Sequence, residues 1–114
     1  MRATKALLGL TLCLGISTPA NTEEASAAGA ASLSGEALYR DKTCVACHGG
    51  DARSPILPDY PKLAGQNSAY LFRQAQDIKT GARANGNSMA MKGVMHLVND
   101  DELRAISDWL AGLE

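Results

Sequence analysis

The most informative feature of the sequence is the pentapeptide CVACH at residues 44–48. The pattern Cys-x-x-Cys-His is typical of c-type haem attachment. The chemistry explains the spacing, because two thiols one helical turn apart can each add to one of the two haem vinyl groups. The adjacent His48 then lies beneath the iron and supplies its proximal ligand. The motif therefore predicts one haem c, held covalently by Cys44 and Cys47.

The same residues allow three other interpretations. A redox-active dithiol would use Cys44 and Cys47, but that motif belongs to a βαβ scaffold, and the sequence has no strand-like alternation. A zinc site would need His96 beside the motif, and this spacing is not that of the usual zinc ligand sets. A disulfide between the two cysteines would close a very short loop and stabilise the fold little. Haem attachment is the interpretation that the sequence favours.

The N-terminus has the order of a secretory signal peptide. A basic start precedes an apolar run at 6–16, and small polar residues follow it. These are the successive regions of a signal peptide, and the apolar run is shorter than a helix that spans a bilayer. We expect residues 1–27 to be the signal peptide and cleavage region, with cleavage after Ala20 or Ala27. A retained N-terminal anchor is the alternative.

The remainder predicts one small domain, with a flexible leader at 28–33 and the domain itself at 34–114. A domain of this size buries a marginal core and usually needs an additional stabilising element, such as disulfides or a bound metal or cofactor. Its cysteines are Cys44 and Cys47, and the whole chain has one Phe and one Trp. Neither a disulfide framework nor a large aromatic core is therefore available. We expect the haem to occupy the centre of the fold.

Charge and hydropathy narrow the classes of partner. Lys and Arg number 11 and Asp and Glu number 12, so the formal net charge is −1. A near-neutral chain without a basic stripe does not predict nucleic-acid binding. No second apolar segment follows the N-terminal run. We expect a mature protein without a membrane span, exported to the periplasm.

The helix signals predict an all-α domain. Ser34 is a candidate N-cap for a helix that runs to about Cys44. Asn67 or Ser68 is the candidate N-cap of a second helix, which ends at Gly81, since glycine is the usual residue just beyond a helix C-terminus. The absence of internal repeats and of strand-like alternation agrees with this fold class.

The last helix is predicted to begin after Asn99, where an acidic first turn suits the positive end of the helix dipole. Two irregular stretches separate the helices, one at 49–65 with three prolines and one at 82–97 with three methionines. Long loops in small domains are usually functional or disordered, and we expect the first to wrap around the cofactor. The last helix has an apolar stripe at helical spacing: Leu103, Ile106, Trp109 or Leu110, and Leu113.

The second irregular stretch offers candidates for the distal iron ligand. Methionine opposite histidine is the arrangement of electron-carrying cytochromes and raises the reduction potential. Met89, Met91 and Met95 all lie in this stretch. Only one can bind the iron, and the others would fill space beside the haem. His96 would instead give a bis-histidine site.

Several further motifs resemble those of class I cytochromes c. Besides CVACH they are PKLAGQ at 61–66, YL at 70–71, GAR at 81–83 and MAM at 89–91. The resemblance covers residues 34–113 and is strongest to one domain of the diheme cytochrome c4 group and its monohaem cytochrome c553-like relatives. It implies the class I cytochrome c fold, which is all-α, with three to four helices wrapped around one covalently bound haem.

The resemblance also implies roles for individual residues. It makes the second methionine of the Met-x-Met element, Met91, the distal ligand, with Met89 as runner-up and Met95 third. In this family a proline carbonyl in the loop after the haem motif orients the proximal imidazole. Pro55 and Pro58 are both candidates for that carbonyl.

The first and last helices of such domains cross near a glycine and an aromatic residue. Here Gly35 and Tyr39 against Trp109 would supply the contact, because glycine allows the two backbones to approach closely. The sequence departs from the family at two points. It carries one haem motif where cytochrome c4 has two such domains, and Asp51-Ala52 stands where the family usually has Asp-Gly.

The function implied is that of a soluble, exported monohaem one-electron carrier, not an enzyme. It is expected to be a monomer that docks weakly and briefly with redox protein partners. One alternative is the haem c subunit of a dehydrogenase complex, and another is an open-site, ligand-binding or peroxidase-like haem protein. Four lysines are candidates either for steering an acidic partner or for ordinary solvated charges: Lys42, Lys62, Lys79 and Lys92.

Overall fold

The computed structural model describes residues 33–114 and the isolated Gly9. The predicted signal peptide at 1–27 and all of the leader at 28–33 except its last residue therefore lie outside the described chain. The described part contains no strand, which confirms the all-α prediction, and none of its helices is long and apolar enough to cross a membrane. Its helices are α1 (Gly35–Asp41), α2 (Cys44–His48), α3 (Ser68–Thr80), α4 (Ser88–Met95) and α5 (Asp100–Ala111).

The predicted helix caps are present. The side chains of Ser34 and Asn67 each accept a hydrogen bond from a backbone amide three residues further on. Asn99 forms a complete capping box with Glu102. At the other end of α3, Gly81 takes a left-handed φ of 88°. Each polar cap satisfies amides that a helix leaves unpaired and contributes about 1 kcal/mol.

Two predicted boundaries are wrong. The first helix does not continue to Cys44, because it ends at Asp41 and Thr43 takes a left-handed φ of 67° that separates α1 from α2. The stretch 82–97 was predicted to be irregular but contains α4. A helix of eight residues is not stable alone, so its formation depends on packing that the local sequence does not reveal. With these two changes, residues 33–114 contain five helices where three to four were expected.

The crossing of α1 and α5 forms as predicted. A Cβ atom at Gly35 would lie 2.3 Å from the Ala105 carbonyl oxygen and 2.5 Å from the Trp109 Cβ, so only glycine fits there. The Tyr39 side chain is completely buried, and its ring centre lies 5.1 Å from that of Trp109. This contact fixes the two terminal helices of the domain against each other.

The hydrophobic core lies between α1, α3 and α5. The predicted stripe on α5 is confirmed, and Leu110 is buried more fully than its neighbour Trp109. The short helices α2 and α4 contribute fewer core residues. They flank instead a cleft beside this core, which is lined by residues from all five helices.

Candidate haem site

The cleft has a volume of about 520 Å³, within the usual range for small-molecule and cofactor sites. Core residues form much of its wall, among them Leu71 of α3 and Ile106 of α5. The three chemically distinctive residues of the CVACH motif line it as well. An apolar wall with a few polar groups at defined places is typical of a site for a large, mostly apolar cofactor.

Helix α2 presents both thiols of the motif to the cleft. Residues three apart in a helix share a face, so Cys44 and Cys47 lie side by side. Cys44 is half-buried and Cys47 is exposed. Burial raises the pKa of the Cys44 thiol. Two neighbouring thiols at one wall of a cleft are the arrangement that two thioether bonds to one ligand require.

The chain turns sharply directly after His48. Gly49 has a left-handed φ of 83°, and a Cβ atom there would lie 2.3 Å from the Ser54 carbonyl oxygen. The Tyr39 hydroxyl donates a hydrogen bond of 2.7 Å to the Gly49 carbonyl. Burial raises the pKa of Tyr39 to about 12, so the hydroxyl keeps its proton at neutral pH. The crossing of α1 and α5 is thereby connected to the end of the haem motif.

His48 is buried, with 7% of its surface exposed, and its Nδ1 lies 3.0 Å from the Pro61 carbonyl oxygen. A carbonyl only accepts hydrogen bonds, so Nδ1 carries the proton and Nε2 keeps the lone pair that a metal needs. The expectation that Pro55 or Pro58 would supply this carbonyl is wrong. Burial lowers the pKa of His48, and the bond to Pro61 opposes that shift.

The position of Pro61 follows from the way in which the loop at 49–65 is held. The Ala52 carbonyl oxygen accepts hydrogen bonds from the Leu63 amide at 2.8 Å and the Ala64 amide at 3.1 Å. The two ends of the loop are thereby joined, and the PKLAGQ segment returns to the haem motif. Pro55 and Pro58 lie between these two points in the chain, and the carbonyl that reaches the imidazole is that of Pro61, just before the Leu63 junction.

The same turn contains the departure from the family pattern at Asp51-Ala52. The Asp51 carboxylate accepts hydrogen bonds of 2.9 Å from the Arg53 and Ser54 amides, and these bonds lower its pKa. Ala52 is completely buried and has a left-handed φ of 55°. Such a backbone costs an alanine roughly 1–2 kcal/mol that a glycine would not incur.

The three candidate methionines occupy different surroundings. Met91 and Met95 lie four residues apart on α4, so they share one face, and both line the cleft. Met95 is 4% exposed and belongs to the core, whereas Met91 is half-buried and packs against the core. Met89 is 55% exposed and lies outside the cleft. The geometry therefore offers two thioethers to a ligand in the cleft.

The alternative sites that use His96 are not formed. His96 is exposed at the C-terminal end of α4 and does not line the cleft. Within the described residues, no three His, Cys, Asp or Glu side chains come together as a metal site. The zinc interpretation and the bis-histidine interpretation both lack the second histidine that they need.

Sequence reasoning missed the role of Arg83, which it treated only as part of a family motif. The half-buried Arg83 lines the cleft, and its Nη1 donates a 2.9 Å hydrogen bond to Gln74 Oε1. The Gln74 amide is neutral, so this hydrogen bond does not offset the positive charge of the guanidinium at the edge of the apolar cavity. It suits a negatively charged group on the bound molecule, such as a haem propionate.

Two of the four lysines considered for steering a partner are engaged within the protein. Lys42 Nζ lies 3.1 Å from Glu102 Oε1. Lys79 Nζ donates 2.7 Å to the Val98 carbonyl oxygen. These two are therefore less available to a partner than their sequence positions suggested. The other two, Lys62 and Lys92, are exposed.

The donor set fits haem c. It comprises two adjacent thiols and a neutral imidazole with Nε2 available, all on α2, and two thioether side chains on α4. The two thiols can each form a thioether bond with a haem vinyl group. The imidazole and one thioether are the pair of iron ligands found in low-spin cytochromes c.

Comparison with known proteins identifies the family of this chain. A family model for cytochrome c matches residues 32–114. Cytochrome c4 from Pseudomonas aeruginosa is 37% identical over 94% of this chain and 47% of its own length. Cytochrome c-554(548) from Halomonas halodenitrificans is 33% identical over 63% of this chain and 86% of its own length.

A solved structure, reduced recombinant cytochrome c4 from Pseudomonas stutzeri, has a TM-score of 0.61 and 34% identity. The match covers 70% of this chain and 46% of that one. The chain spans about half the length of the cytochrome c4 relatives that it matches. By sequence and by fold alike, it belongs to the cytochrome c family and is an all-α protein with covalently bound haem c.

Proposed function

We propose that this chain is an exported one-electron carrier that contains a single haem. Cys44 and Cys47 form the thioether bonds, His48 is the proximal iron ligand and Met91 is the distal ligand. The observation that carries the proposal is the buried His48 ring, whose Nδ1 is occupied by Pro61 in a cleft that also contains a methionine thioether. The relatives named cytochrome c4 support the same function.

The chain's residues prepare the site for electron transfer. Haem iron, when bound, supplies a one-electron couple. The Pro61 carbonyl fixes the rotation and tautomer of His48, so that Nε2 is always available. The apolar wall excludes water and lowers the local dielectric, which together with a methionine ligand favours a high reduction potential. If His48 and Met91 both hold the iron in its two oxidation states, little of the protein would have to rearrange when an electron is transferred.

Met91 is preferred to the other methionines on position and resemblance. It is the second methionine of the Met-x-Met element, and it lies at the cleft with part of its side chain outside the core. Met95 becomes the first alternative, since it also lines the cleft. Met89 becomes the third because more than half of it is exposed and it does not line the cleft.

The visible spectrum tests the ligand assignment. The oxidised protein is expected to show a methionine–iron charge-transfer band that Met91→Ala abolishes and that the matched control Met89→Ala preserves. The reduced protein is expected not to bind carbon monoxide, which an open-site or peroxidase-like haem would bind. A band that survives in Met91→Ala and disappears in Met95→Ala would transfer the distal role to Met95.

A second candidate function is that of a dedicated acceptor for one dehydrogenase. A relative named thiosulfate dehydrogenase electron acceptor, from Stutzerimonas stutzeri, is 34% identical over 61% of this chain and 32% of its own length. A free carrier is expected to elute as a monomer and to exchange electrons with several acceptors in brief encounters. Stable co-elution with one catalytic subunit would favour the second candidate.

We also propose that residues 1–27 direct export and that residues 34–114 form the folded domain in the periplasm. Mass spectrometry of the protein from the periplasmic fraction is expected to show an N-terminus directly after Ala20 or Ala27 and the added mass of one haem. A product that begins at Met1 and stays with the membrane would indicate the retained anchor instead.

A further inference from the structure

The segment that carries Met91 is fastened to α3 at both of its ends. At the start, the Arg83 amide donates 2.9 Å to the Asp77 carbonyl oxygen. At the end, Lys79 Nζ donates 2.7 Å to the Val98 carbonyl oxygen. The two α3 residues that make these bonds, Asp77 and Lys79, both lie in the last turn of the helix. One short stretch of α3 therefore holds the whole segment.

The Lys79 contact is a charged tether between α3 and the connection that leads from α4 to α5. Its ammonium also lies 3.3 Å from Asp100 Oδ1, and its side chain is 31% exposed. Val98 itself is 4% exposed. Hydrogen bonds from a charged donor are roughly twice as strong as neutral ones, so this is a strong point of attachment for a buried part of the backbone.

Helix α4 depends on such attachments. It has eight residues, and its N-cap residue Asn87 makes no side-chain capping bond. Its buried residues are Ser88 and Met95. Isolated helices of this length are unstable in water, so tertiary contacts decide how long α4 stays in place against the cleft.

We propose that Lys79 is a positioning residue, which holds the α4 segment closed over the cleft and thereby slows the loss of the distal methionine ligand. This rests on the proposed function, because it takes a methionine of α4 as that ligand. Lys79 acts through the Val98 backbone. Without its ammonium, the end of α4 is freer to move away and the methionine dissociates more often.

Imidazole binding to the oxidised holoprotein measures this opening. At saturating imidazole the rate is limited by dissociation of the methionine. Lys79→Met keeps most of the aliphatic stem but removes the donor, and is expected to raise that rate about fivefold to tenfold, as loss of a charged hydrogen bond at a partly exposed site implies. Lys79→Arg keeps a charged donor and is expected to restore a rate within about twofold of the original.

Lys62→Met is the matched control, since Lys62 is an exposed lysine in the loop at 49–65. It is expected to leave the rate unchanged. A Lys79→Met rate within twofold of the original, or equal acceleration in Lys62→Met, would overturn the proposal. Should Lys79→Met lose helix content by circular dichroism, Lys79→Gln replaces it, with an expected threefold acceleration, and an unchanged rate there overturns the proposal equally.

The two proposals fail in different ways. If the unmodified protein lacks the methionine–iron band, or if Met91→Ala and Met95→Ala both retain it, the ligand assignment fails. If that band behaves as expected and only the Lys79 variants show no acceleration, the positioning role alone is lost. If the role of Lys79 were purely structural, Lys79→Met would lower the midpoint of helix unfolding. The rate of imidazole binding under native conditions would then stay unchanged.

Discussion

The Nδ1 atom of His48 lies 3.0 Å from the carbonyl oxygen of Pro61, thirteen residues further along the chain. This bond connects the haem motif to the PKLAGQ segment and decides which imidazole nitrogen is available to a metal. Since the ring is buried, no water can readily substitute for the carbonyl. Ring orientation at the candidate iron site therefore depends on how the loop at 49–65 is closed.

Pro61→Ala is expected to raise the reduction potential of the haem and to destabilise the fold by about 0.5–1 kcal/mol. The proline ring restricts the backbone that holds the carbonyl. A weaker bond to Nδ1 makes the imidazole a poorer donor, which favours the reduced iron. A spectroscopic redox titration measures the shift. Pro58→Ala is the control, and an equal shift in both variants would contradict the specific role of Pro61.

Gly35→Ala is expected to destabilise the domain by roughly 1–3 kcal/mol, the usual cost of overpacking. The added Cβ would lie 2.3 Å from the Ala105 carbonyl oxygen and 2.5 Å from the Trp109 Cβ, so α1 and α5 must separate. Denaturant unfolding measures the loss. Gly50→Ala, where a Cβ meets nothing within 4 Å, should change stability by less than about 0.5 kcal/mol. Equal effects would rule out the close crossing as the cause.

Tyr39→Phe is expected to destabilise the protein by about 1–2 kcal/mol at neutral pH, because the Gly49 carbonyl loses a 2.7 Å hydrogen bond. The folded pKa is raised from 10.0 to about 12, chiefly by burial. The stability that the neutral hydroxyl contributes is therefore complete below pH 10 and is lost as pH rises from 10 towards 12.

Unfolding free energies measured from pH 8 upward test the alkaline part of this prediction. The original protein should lose stability above pH 10 more steeply than Tyr39→Phe, which has no hydroxyl to ionise. Tyr70→Phe is the control, as Tyr70 is 54% exposed. Parallel curves for the original protein and Tyr39→Phe would show that another group causes the alkaline loss.

Arg83→Leu is expected to lower the reduction potential. The half-buried guanidinium lines the cleft and is hydrogen-bonded to the neutral Gln74 side chain. A nearby cation favours the form of the iron centre that carries less positive charge, which is the reduced form. Arg83→Lys keeps the charge and should restore much of the potential. Arg73→Leu removes an exposed arginine of α3 as the control, and an equal fall there would indicate a general charge effect.

Features of the site that depend on neighbours within one helical turn were predictable from sequence. The spacing of Cys44, Cys47 and His48 predicts that two thiols and an imidazole lie close together. The structure places all three side chains at one cleft. The caps at Asn67 and Asn99 were equally predictable, because a capping side chain bonds an amide only three residues away. Even the close approach at Gly35 followed, through a resemblance to related domains.

Tertiary structure decided the features that join distant segments. The existence of α4 depended on packing, since eight residues with no side-chain cap do not form a stable helix alone. Its formation places Met91 and Met95 on one face and leaves Met89 outside the cleft. The local sequence, in which all three lie in one irregular-looking stretch, did not separate them, and they were ranked only through the family resemblance.

The haem motif and the loop after it show most clearly which features local sequence predicts and which depend on the tertiary structure. Local chemistry is enough to predict from sequence that residues 44–48 hold the haem, because the reaction needs only two thiols and a histidine at that spacing. The choice of Pro61 over Pro55 and Pro58 came from the fold, since hydrogen bonds between the two ends of a long loop decide which carbonyl reaches the imidazole. Bonds of that kind join residues far apart in the chain, and no local pattern encodes their partners.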